Sequence, residues 1–333
     1  MEFWSGIGGL AKSRVFPRNL ALDYAELVDS ACLLEEMGFD AFSGSEHHFM
    51  YDGFCPSPLV ALSGLALSTK RIKFVTGALL LPLHDPLRIA EDAATLDRLS
   101  GGRLILGLGM GYRPLEFDGL ASEKRTRGAR LVEMIQLVQQ ALSQERFSFA
   151  GKYYQYENIS VTPRPRQQPH PPLWLCGGTT AKAARRAGRA GLPYWLATST
   201  FEHAEQCVHA YREAGRAAGF PPQALKVAVF KDLCLAASRE QAVKLRQTLL
   251  RAFYDEHILG YGYLVDEAGE HLYNPPRSHP LYQQFVASIF AGTPQMAIAE
   301  LQRYEMLGIE AMYVATVQKE LFVKEVMPAF RKP

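Results

Sequence analysis

The chain has 333 residues, of which 48% are hydrophobic and 21% are charged, and this composition excludes a wholly disordered protein. Its 36 basic and 34 acidic residues leave a net charge of +2, so the charge gives no reason to expect binding to nucleic acid or to an anionic membrane. No apolar run approaches the roughly 18 residues of a membrane-spanning helix, and the first residues do not resemble a secretory signal. We therefore expect a cytoplasmic protein.

Metal-binding and disulfide patterns are missing from the sequence. The five cysteines are widely spaced, and no two of them form a CxxC pair, which argues against a disulfide framework and a cysteine zinc site. Glu46, His47 and His48 are adjacent, and neighbouring residues on a strand point to opposite sides. We expect no bound metal.

Short apolar runs alternate with amphipathic segments along most of the chain. The apolar runs predict eight strands, at residues 1–8, 39–45, 72–82, 104–109, 173–176, 194–198, 227–236 and 309–315. The segments between them have helical periodicity; Leu131, Ile135 and Val138, for example, share one helix face. Eight repeats of strand and helix predict an α/β fold, and favour a single (β/α)8 TIM barrel over an open doubly wound sheet.

Two segments interrupt this alternation. Residues 145–172, before the fifth strand, contain an alternating pattern at 147–161 that predicts a β-hairpin. Residues 255–285, after the seventh strand, have no clean periodicity. A long segment without regular structure in a compact domain is commonly a functional lid, and we expect a mobile lid here.

A histidine ends the second predicted strand. Active sites of TIM barrels lie at the C-terminal ends of the strands. Strand alternation places His47 on the same face as the small residues Ala41 and Ser43, at the mouth of the barrel lumen. His47 is therefore either a structural residue or a titratable catalytic group.

Glycine-rich segments follow the fourth and fifth strands. Gly109 lies in a GxGxG sequence, which either packs closely or lets a flat ring approach the backbone. The fifth strand leads into a helix through Gly177, Gly178, Thr179 and Thr180. This second segment either caps the helix or binds an anion at the helix N-terminus. One extended ligand, with a flat ring and a phosphate tail, would occupy both segments.

Aromatic residues cluster near the predicted mouth. They are Phe49, Tyr51, Phe54 and Tyr112, together with Tyr261 and Tyr263 of the predicted lid. Such residues either pack within loops or line a substrate pocket. The second alternative predicts a small organic substrate that is apolar or aromatic.

Several motifs occur together in one order along most of the chain. They are EHHF at 46–49, TGALLLP at 76–82, LDRLSGGR at 96–103, GLG at 107–109, PRP at 163–165 and GTP at 292–294. In this order they resemble the bacterial luciferase-like flavin monooxygenases. The resemblance implies a (β/α)8 barrel that binds reduced FMN, which reacts with dioxygen to a flavin peroxide that oxygenates an organic substrate.

The resemblance also implies roles for individual residues. His47 would be a general base or a hydrogen-bond partner of the flavin intermediate, and Gly77–Ala78 would be a non-prolyl cis peptide bond beneath the flavin ring. Gly109, Met110 and Tyr112 would line the cofactor site, and residues 177–180 would hold the phosphate. The segment 255–285 would be the lid that excludes water.

Met110 departs from the pattern of bacterial luciferase, which has a phosphate-binding arginine there. Either Arg113 or Arg127 replaces that charge, or binding rests on helix N–H groups, and light emission is not implied. The resemblance further implies a separate NAD(P)H-dependent flavin reductase and a homodimer whose interface includes the helix around Glu91. Two alternatives remain: a deazaflavin-dependent hydride-transfer enzyme and a flavin-binding protein without catalysis. The EHHF motif favours FMN.

Overall fold

The computed structural model describes residues 1–7, 24–50, 53–266 and 270–331. Eight parallel strands hydrogen-bond in sequence order, and the eighth pairs with the first, so the sheet closes into a barrel. The barrel strands are β1 (Glu2–Ile7), β2 (Ala41–Gly44), β3 (Lys73–Thr76), β4 (Leu104–Gly109), β5 (Leu173–Cys176), β6 (Tyr194–Leu196), β7 (Val227–Leu235) and β8 (Ala311–Ala315). The predicted (β/α)8 TIM barrel is confirmed.

Helices surround the barrel. Those that the structure describes are α1 (Tyr24–Glu36), α2 (Pro58–Ser68), α3 (Pro86–Leu99), α4 (Pro114–Gly119), α5 (Arg127–Ser143), α6 (Ala181–Arg189), α7 (Phe201–Ala217), α8 (Arg239–Leu249), α9 (Pro280–Ser288), α10 (Pro294–Met306) and the short α11 (Lys319–Leu321). Polar side chains begin several of them: Asp85 accepts hydrogen bonds from the first turn of α3, and Thr293 from that of α10. No helix in the described ranges is long and apolar enough to cross a membrane.

The third predicted strand, 72–82, is shorter than expected. β3 ends at Thr76, the Gly77–Ala78 peptide bond is cis, and a two-residue strand (Leu79–Leu80) then pairs with β4. A Cβ atom on Gly77 would lie 2.4 Å from both Ser43 Oγ and the Trp195 ring. The chain therefore turns here in a space that only glycine fits, and the apolar composition of 72–82 conceals that turn.

Aromatic side chains fill the barrel lumen. The Trp4 ring lies 5.3 Å from the rings of both Trp174 and Trp195, and Tyr313 stacks on Phe230 at 4.6 Å. These packed rings make the lumen a solid core, as in other barrels of this kind. Within the described residues, the lumen itself therefore has no room for a ligand.

The two predicted insertions differ from one another in structure. The hairpin before β5 is present, with antiparallel strands Phe147–Ala150 and Gln155–Ile159. The segment 255–285, expected to lack regular structure, contains the end of a π-helix (Leu250–Ile258), a two-stranded ladder and most of α9. That expectation is wrong. Leu250, Tyr282 and Phe285 belong to a separate hydrophobic core, and the spacing of its residues along the chain follows neither the helix period nor the strand period. A last short strand, Phe290–Gly292, pairs with β7.

Candidate active site

His47 lies just beyond β2 at the barrel mouth, and its side chain is 13% exposed. Its Nδ1 atom is 2.7 Å from Oε1 of Glu116, a fully buried carboxylate on α4. With Nδ1 donating to Glu116, Nε2 has no hydrogen-bond partner among the described residues. The pair thus fixes the orientation of the imidazole and leaves Nε2 to exchange protons.

Glu116 is ionised in this setting. Burial by itself would raise its pKa, but hydrogen bonds from His47 and the His48 backbone N–H, with the positive charge of Arg113, outweigh burial and lower the pKa. Sequence analysis missed Glu116 as a site residue. The available signal was an acidic residue in the first turn of a Pro-initiated helix that directly follows the glycine-rich end of β4.

Aromatic rings surround the His47 imidazole. The ring centroid of Phe54 lies 4.8 Å away, that of Tyr112 at 5.6 Å and that of Tyr261 at 6.0 Å. Burial raises the pKa of the Tyr112 hydroxyl, and the negative charge of Glu116 adds to this effect, so Tyr112 stays protonated. The structure therefore brings these three predicted aromatic residues together around the predicted catalytic histidine.

Two other predicted pocket residues, Phe49 and Tyr263, have no ring contact with His47 in the described part of the chain. Phe49 is 53% exposed, and its backbone φ is 56°. The Phe49 ring packs against Gly119 at the end of α4. Tyr263 packs on Phe285, at 6.0 Å between centroids. Tyr51 lies outside the described residues.

Glu46 faces away from the lumen side that His47 occupies, as alternation predicts, and joins a second histidine cluster. Its Oε1 is 2.6 Å from Nε2 of both His48 and His84, and its Oε2 accepts the Leu80 N–H at 2.7 Å. Burial would raise the pKa of Glu46, but these hydrogen bonds and the charge of His84 lower it.

The sequence did not reveal that His84 joins these residues. The three ligand atoms lie within 4.8 Å of one another, a spacing that admits a metal ion. However, two ligands on one tetrahedral zinc ion lie roughly 3.3 Å apart, given bonds of about 2.0–2.1 Å. The 2.6 Å spacings fit direct hydrogen bonds instead, and we assign the cluster as a clamp that joins the end of β2 to the turn after β3.

Two arginines converge beside the end of β4. Arg186 of α6 approaches Met110 Sδ at 3.5 Å, and burial together with the charge of Arg186 lowers the pKa of Arg127. The buried Nε atom of Arg127 has no hydrogen-bond partner. Within the described ranges, neither arginine forms an ion pair with a carboxylate. The two positive charges thus lie beside Met110, and sequence analysis identified Arg127 but not Arg186.

The predicted phosphate segment at 177–180 begins α6, the helix that carries Arg186. Thr180 caps this helix by accepting the Ala183 N–H at 3.2 Å, which confirms the capping alternative for this residue. The Thr179 carbonyl oxygen accepts a hydrogen bond from His203. Gly177 and Gly178 have φ angles of 78° and 116°, which favour glycine. The segment thus precedes the helix that carries Arg186, whereas Arg127 begins α5.

Gly109 and Ala78 touch at the mouth. A Cβ on Gly109 would lie 2.8 Å from Cβ of Ala78, so the end of β4 and the cis peptide form one closely packed surface. A family model described as luciferase-like monooxygenase matches residues 6–311 of this chain. The chain belongs to this family.

Members of the luciferase-like family with different cofactors are similar to this chain. The oxygenase component of flavin-dependent trigonelline monooxygenase from Acinetobacter baylyi is 30% identical over 46% of this chain and 42% of its own length. An F420-dependent glucose-6-phosphate dehydrogenase from Kineococcus radiotolerans is 39% identical over 51% of each chain. The chain thus spans about half the length of these curated relatives.

A solved structure agrees with the luciferase-like fold over the whole chain. It is the oxygenating constituent of 3,6-diketocamphane monooxygenase from Pseudomonas putida, in complex with FMN, and it superimposes with a TM-score of 0.78 at 21% identity. The match covers 100% of this chain and 99% of that one. The chain therefore shares its family and its fold with flavin-dependent monooxygenases, and its sequence is also similar to that of an F420-dependent enzyme.

Proposed function

We propose that this chain is the oxygenase of a two-component, FMN-dependent monooxygenase that acts on a small organic substrate. An NAD(P)H-dependent flavin reductase would supply the reduced FMN. The observation that carries the proposal is the His47–Glu116 pair, enclosed by aromatic rings at the barrel mouth of a luciferase-like chain. The aromatic enclosure favours an apolar or aromatic substrate.

The residues at the mouth fit a flavin with a phosphate tail. Ala78 and Gly109 offer a flat surface for the ring, and Arg127 and Arg186 offer two unpaired positive charges for the phosphate. The arginine pair would supply the charge that Met110 lacks. When bound and reduced, FMN would supply the electrons that activate dioxygen.

The protein side chains would control protons and water. His47 Nε2 would hold or transfer a proton next to the reacting atoms, while Glu116 keeps the imidazole oriented through Nδ1. Phe54, Tyr112 and Tyr261 would exclude water from this position. Tyr261 belongs to the segment 255–285, and that segment would therefore act as the predicted lid.

A deazaflavin-dependent hydride-transfer reaction is the second candidate. The observation in its favour is the F420-dependent relative, which is 39% identical over about half of the chain. Both cofactors have a flat ring and a phosphate tail, so the barrel mouth offers both of them the same contacts.

Cofactor titration separates these candidates. Under anaerobic conditions, the protein would be titrated with photoreduced FMN and, separately, with reduced F420, with tryptophan fluorescence as the readout. We expect tighter binding of reduced FMN and, after mixing with air, slower reoxidation of bound than of free FMN. Tight F420 binding without FMN binding would establish the second candidate. Binding of FMN without oxygenation of any compound in an aldehyde, ketone and amine panel would indicate a non-catalytic flavin-binding protein.

A homodimer is also part of the proposal. Val60 and Leu67 lie seven residues apart on α2, so they share a helix face, and they are 74% and 71% exposed. We propose that this face, with the neighbouring helix α3 that carries Glu91, packs against a second copy. Sedimentation would show a dimer for the natural chain and a monomer for Val60→Asp with Leu67→Asp. A monomeric natural chain would contradict this. The cytoplasmic location stays a prediction.

A further inference from the structure

A second buried carboxylate, that of Asp232, lies at the barrel mouth. It is on β7, whereas His47 follows β2. Ala228 and Phe230 of β7 pack into the lumen, and alternation places Asp232 on the same face. Asp232 pairs in register with Ala315 at the end of β8, so it lies at the C-terminal rim of the barrel. Its side chain is 2% exposed.

Two hydroxyl groups donate hydrogen bonds to this carboxylate. The Tyr254 hydroxyl donates to Oδ1, and the Thr198 hydroxyl donates to Oδ2 at 3.1 Å. The neighbouring Lys231 points to the outer face of the sheet, where its ammonium pairs with Glu300 at 3.2 Å. In the described part of the chain, no basic side chain forms an ion pair with Asp232. A buried carboxylate without a cation is costly for a folded protein.

Aromatic residues lie beside the same carboxylate: Tyr254 contacts it through its hydroxyl, and the Tyr254 ring packs on Phe285 at 5.3 Å between centroids. Burial raises the pKa of the Tyr263 and Tyr313 hydroxyls, and the negative charge of Asp232 raises them further. Trp195 lies 5.7 Å from Tyr313, between ring centroids. The electron-rich faces of Tyr and Trp rings attract cations, and a carboxylate adds a full negative charge to that attraction.

We propose that Asp232 is a specificity-determining residue that selects substrates with a positively charged nitrogen, either a protonated amine or an N-alkylated ring or ammonium. This rests on the proposed function, because it names the substrate class of the same barrel mouth. The cation would pair with the carboxylate among the rings of Tyr263 and Tyr313. Tyr263 belongs to the predicted lid at 255–285, and Tyr254 directly precedes that segment.

Two probes of equal shape test the proposal without any flavin. Benzyltrimethylammonium carries a permanent positive charge, and neopentylbenzene is its neutral carbon isostere. Binding of each to the full chain would be measured by tryptophan fluorescence. We expect the cation to bind at least about tenfold more tightly than the isostere. We expect Asp232→Asn, which keeps the side-chain volume, to abolish that preference, while Asp29→Asn on the exposed face of α1 leaves it unchanged.

The acidity of Asp232 provides a second test on the natural chain. Burial raises its pKa to about 6, against the hydrogen bonds from Tyr254 and Thr198 and the charge of Lys231. Cys234, whose pKa burial raises to about 12, and the tyrosines around the site stay neutral across this range. Affinity for the permanent cation should therefore fall roughly tenfold about one pH unit below the pKa of Asp232, while affinity for the isostere stays constant.

Equal affinities for the two probes, no binding of the cation, or a preference that survives in Asp232→Asn would each overturn the proposal. If the variant fails to fold, an affinity of the natural chain for the cation that does not change with pH would overturn it as well. Because neither measurement uses flavin, failure here is distinct from failure of the FMN titration, which tests the proposed function alone.

Discussion

Two buried carboxylates at one barrel mouth have pKa values that are shifted in opposite directions. Glu116 contacts His47, the His48 N–H and Arg113, and these contacts outweigh its burial and lower its pKa. Asp232 accepts hydrogen bonds from two hydroxyl groups, and burial raises its pKa to about 6. Both side chains are almost wholly inaccessible to solvent. Charged partners thus outweigh burial at Glu116, whereas hydrogen bonds from hydroxyl groups do not outweigh it at Asp232.

The same difference suggests separate chemical roles for the two sides of the barrel mouth. On the Glu116 side, Oε1 accepts hydrogen bonds from His47 and Arg113 and orients the histidine, so this side suits proton transfer. The Asp232 side lacks a cation among the described residues, so it suits recognition of a charged substrate. Variants on each side, and at the residues proposed to hold the cofactor, would test this difference.

Loss of the His47 imidazole should have the largest effect. A positioned general base contributes typically 10²–10⁴-fold to a rate, so His47→Ala should lower oxygenation of a substrate found in the panel by about that factor. Binding of reduced FMN should change little, because the arginine pair is intact. His209→Ala, on the exposed face of α7, is the matched control. Unchanged turnover in His47→Ala would show that this side of the mouth is not catalytic.

Stability against pH should distinguish the two carboxylates by sign. The folded state raises the pKa of Asp232 from 3.8 to about 6, so folded Asp232 binds a proton more tightly and the protein loses stability as pH rises through that window. Relative to the natural chain, Asp232→Asn should gain on the order of 3 kcal/mol in free energy of unfolding between about pH 4 and pH 7.

Glu116 should behave in the opposite way. Its pKa is lowered below the usual 4.5, so its contribution is fully present above that value and is lost as pH falls through the folded pKa. The advantage of the natural chain over Glu116→Gln should therefore shrink in acid. Denaturant unfolding at several pH values would measure both variants, and parallel curves for the two would contradict the comparison.

The glycine between β3 and the cofactor surface should be sensitive to a single methyl group. In Gly77→Ala the new Cβ meets Ser43 Oγ and the Trp195 ring at 2.4 Å, an overpacking that typically costs about 1–3 kcal/mol. Gly64→Ala is the matched control, because nothing lies within 4 Å of its Cβ on α2, and it should stabilise by about 0.5–1 kcal/mol. Thermal unfolding would measure both; a neutral Gly77→Ala would contradict the close packing around this glycine.

Removal of one cation from the arginine pair should have the smallest effect. Arg186→Met should weaken reduced FMN by about tenfold, since a charge-assisted hydrogen bond contributes roughly 1.5 kcal/mol. Reduced riboflavin, which lacks the phosphate, should bind both proteins equally. Arg189→Met, an exposed arginine on the same helix, is the control. An equal loss for FMN and riboflavin would place the phosphate elsewhere.

The sequence by itself determined the barrel, the hairpin before β5 and the position of His47 at a strand end. These features depend on local periodicity, on Pro and Gly positions and on motif order, all of which are present in short stretches of chain. The π-helix, the two-stranded ladder and α9, which lie within 250–288, were not predicted from the sequence. Their apolar residues pack on one another without a single repeating period.

Only the tertiary structure decided which charged groups meet at the mouth. Glu116 reaches His47 across 69 positions of sequence, and Glu46 reaches His84 across 38. Arg186 joins Arg127 from a different helix, and Asp232 has hydroxyl partners from two separate segments. Coulombic energy depends on distance through space, and parallel strands bring residues from remote parts of the chain to one rim. The spacing of residues along the chain therefore does not reveal the acidity of these groups.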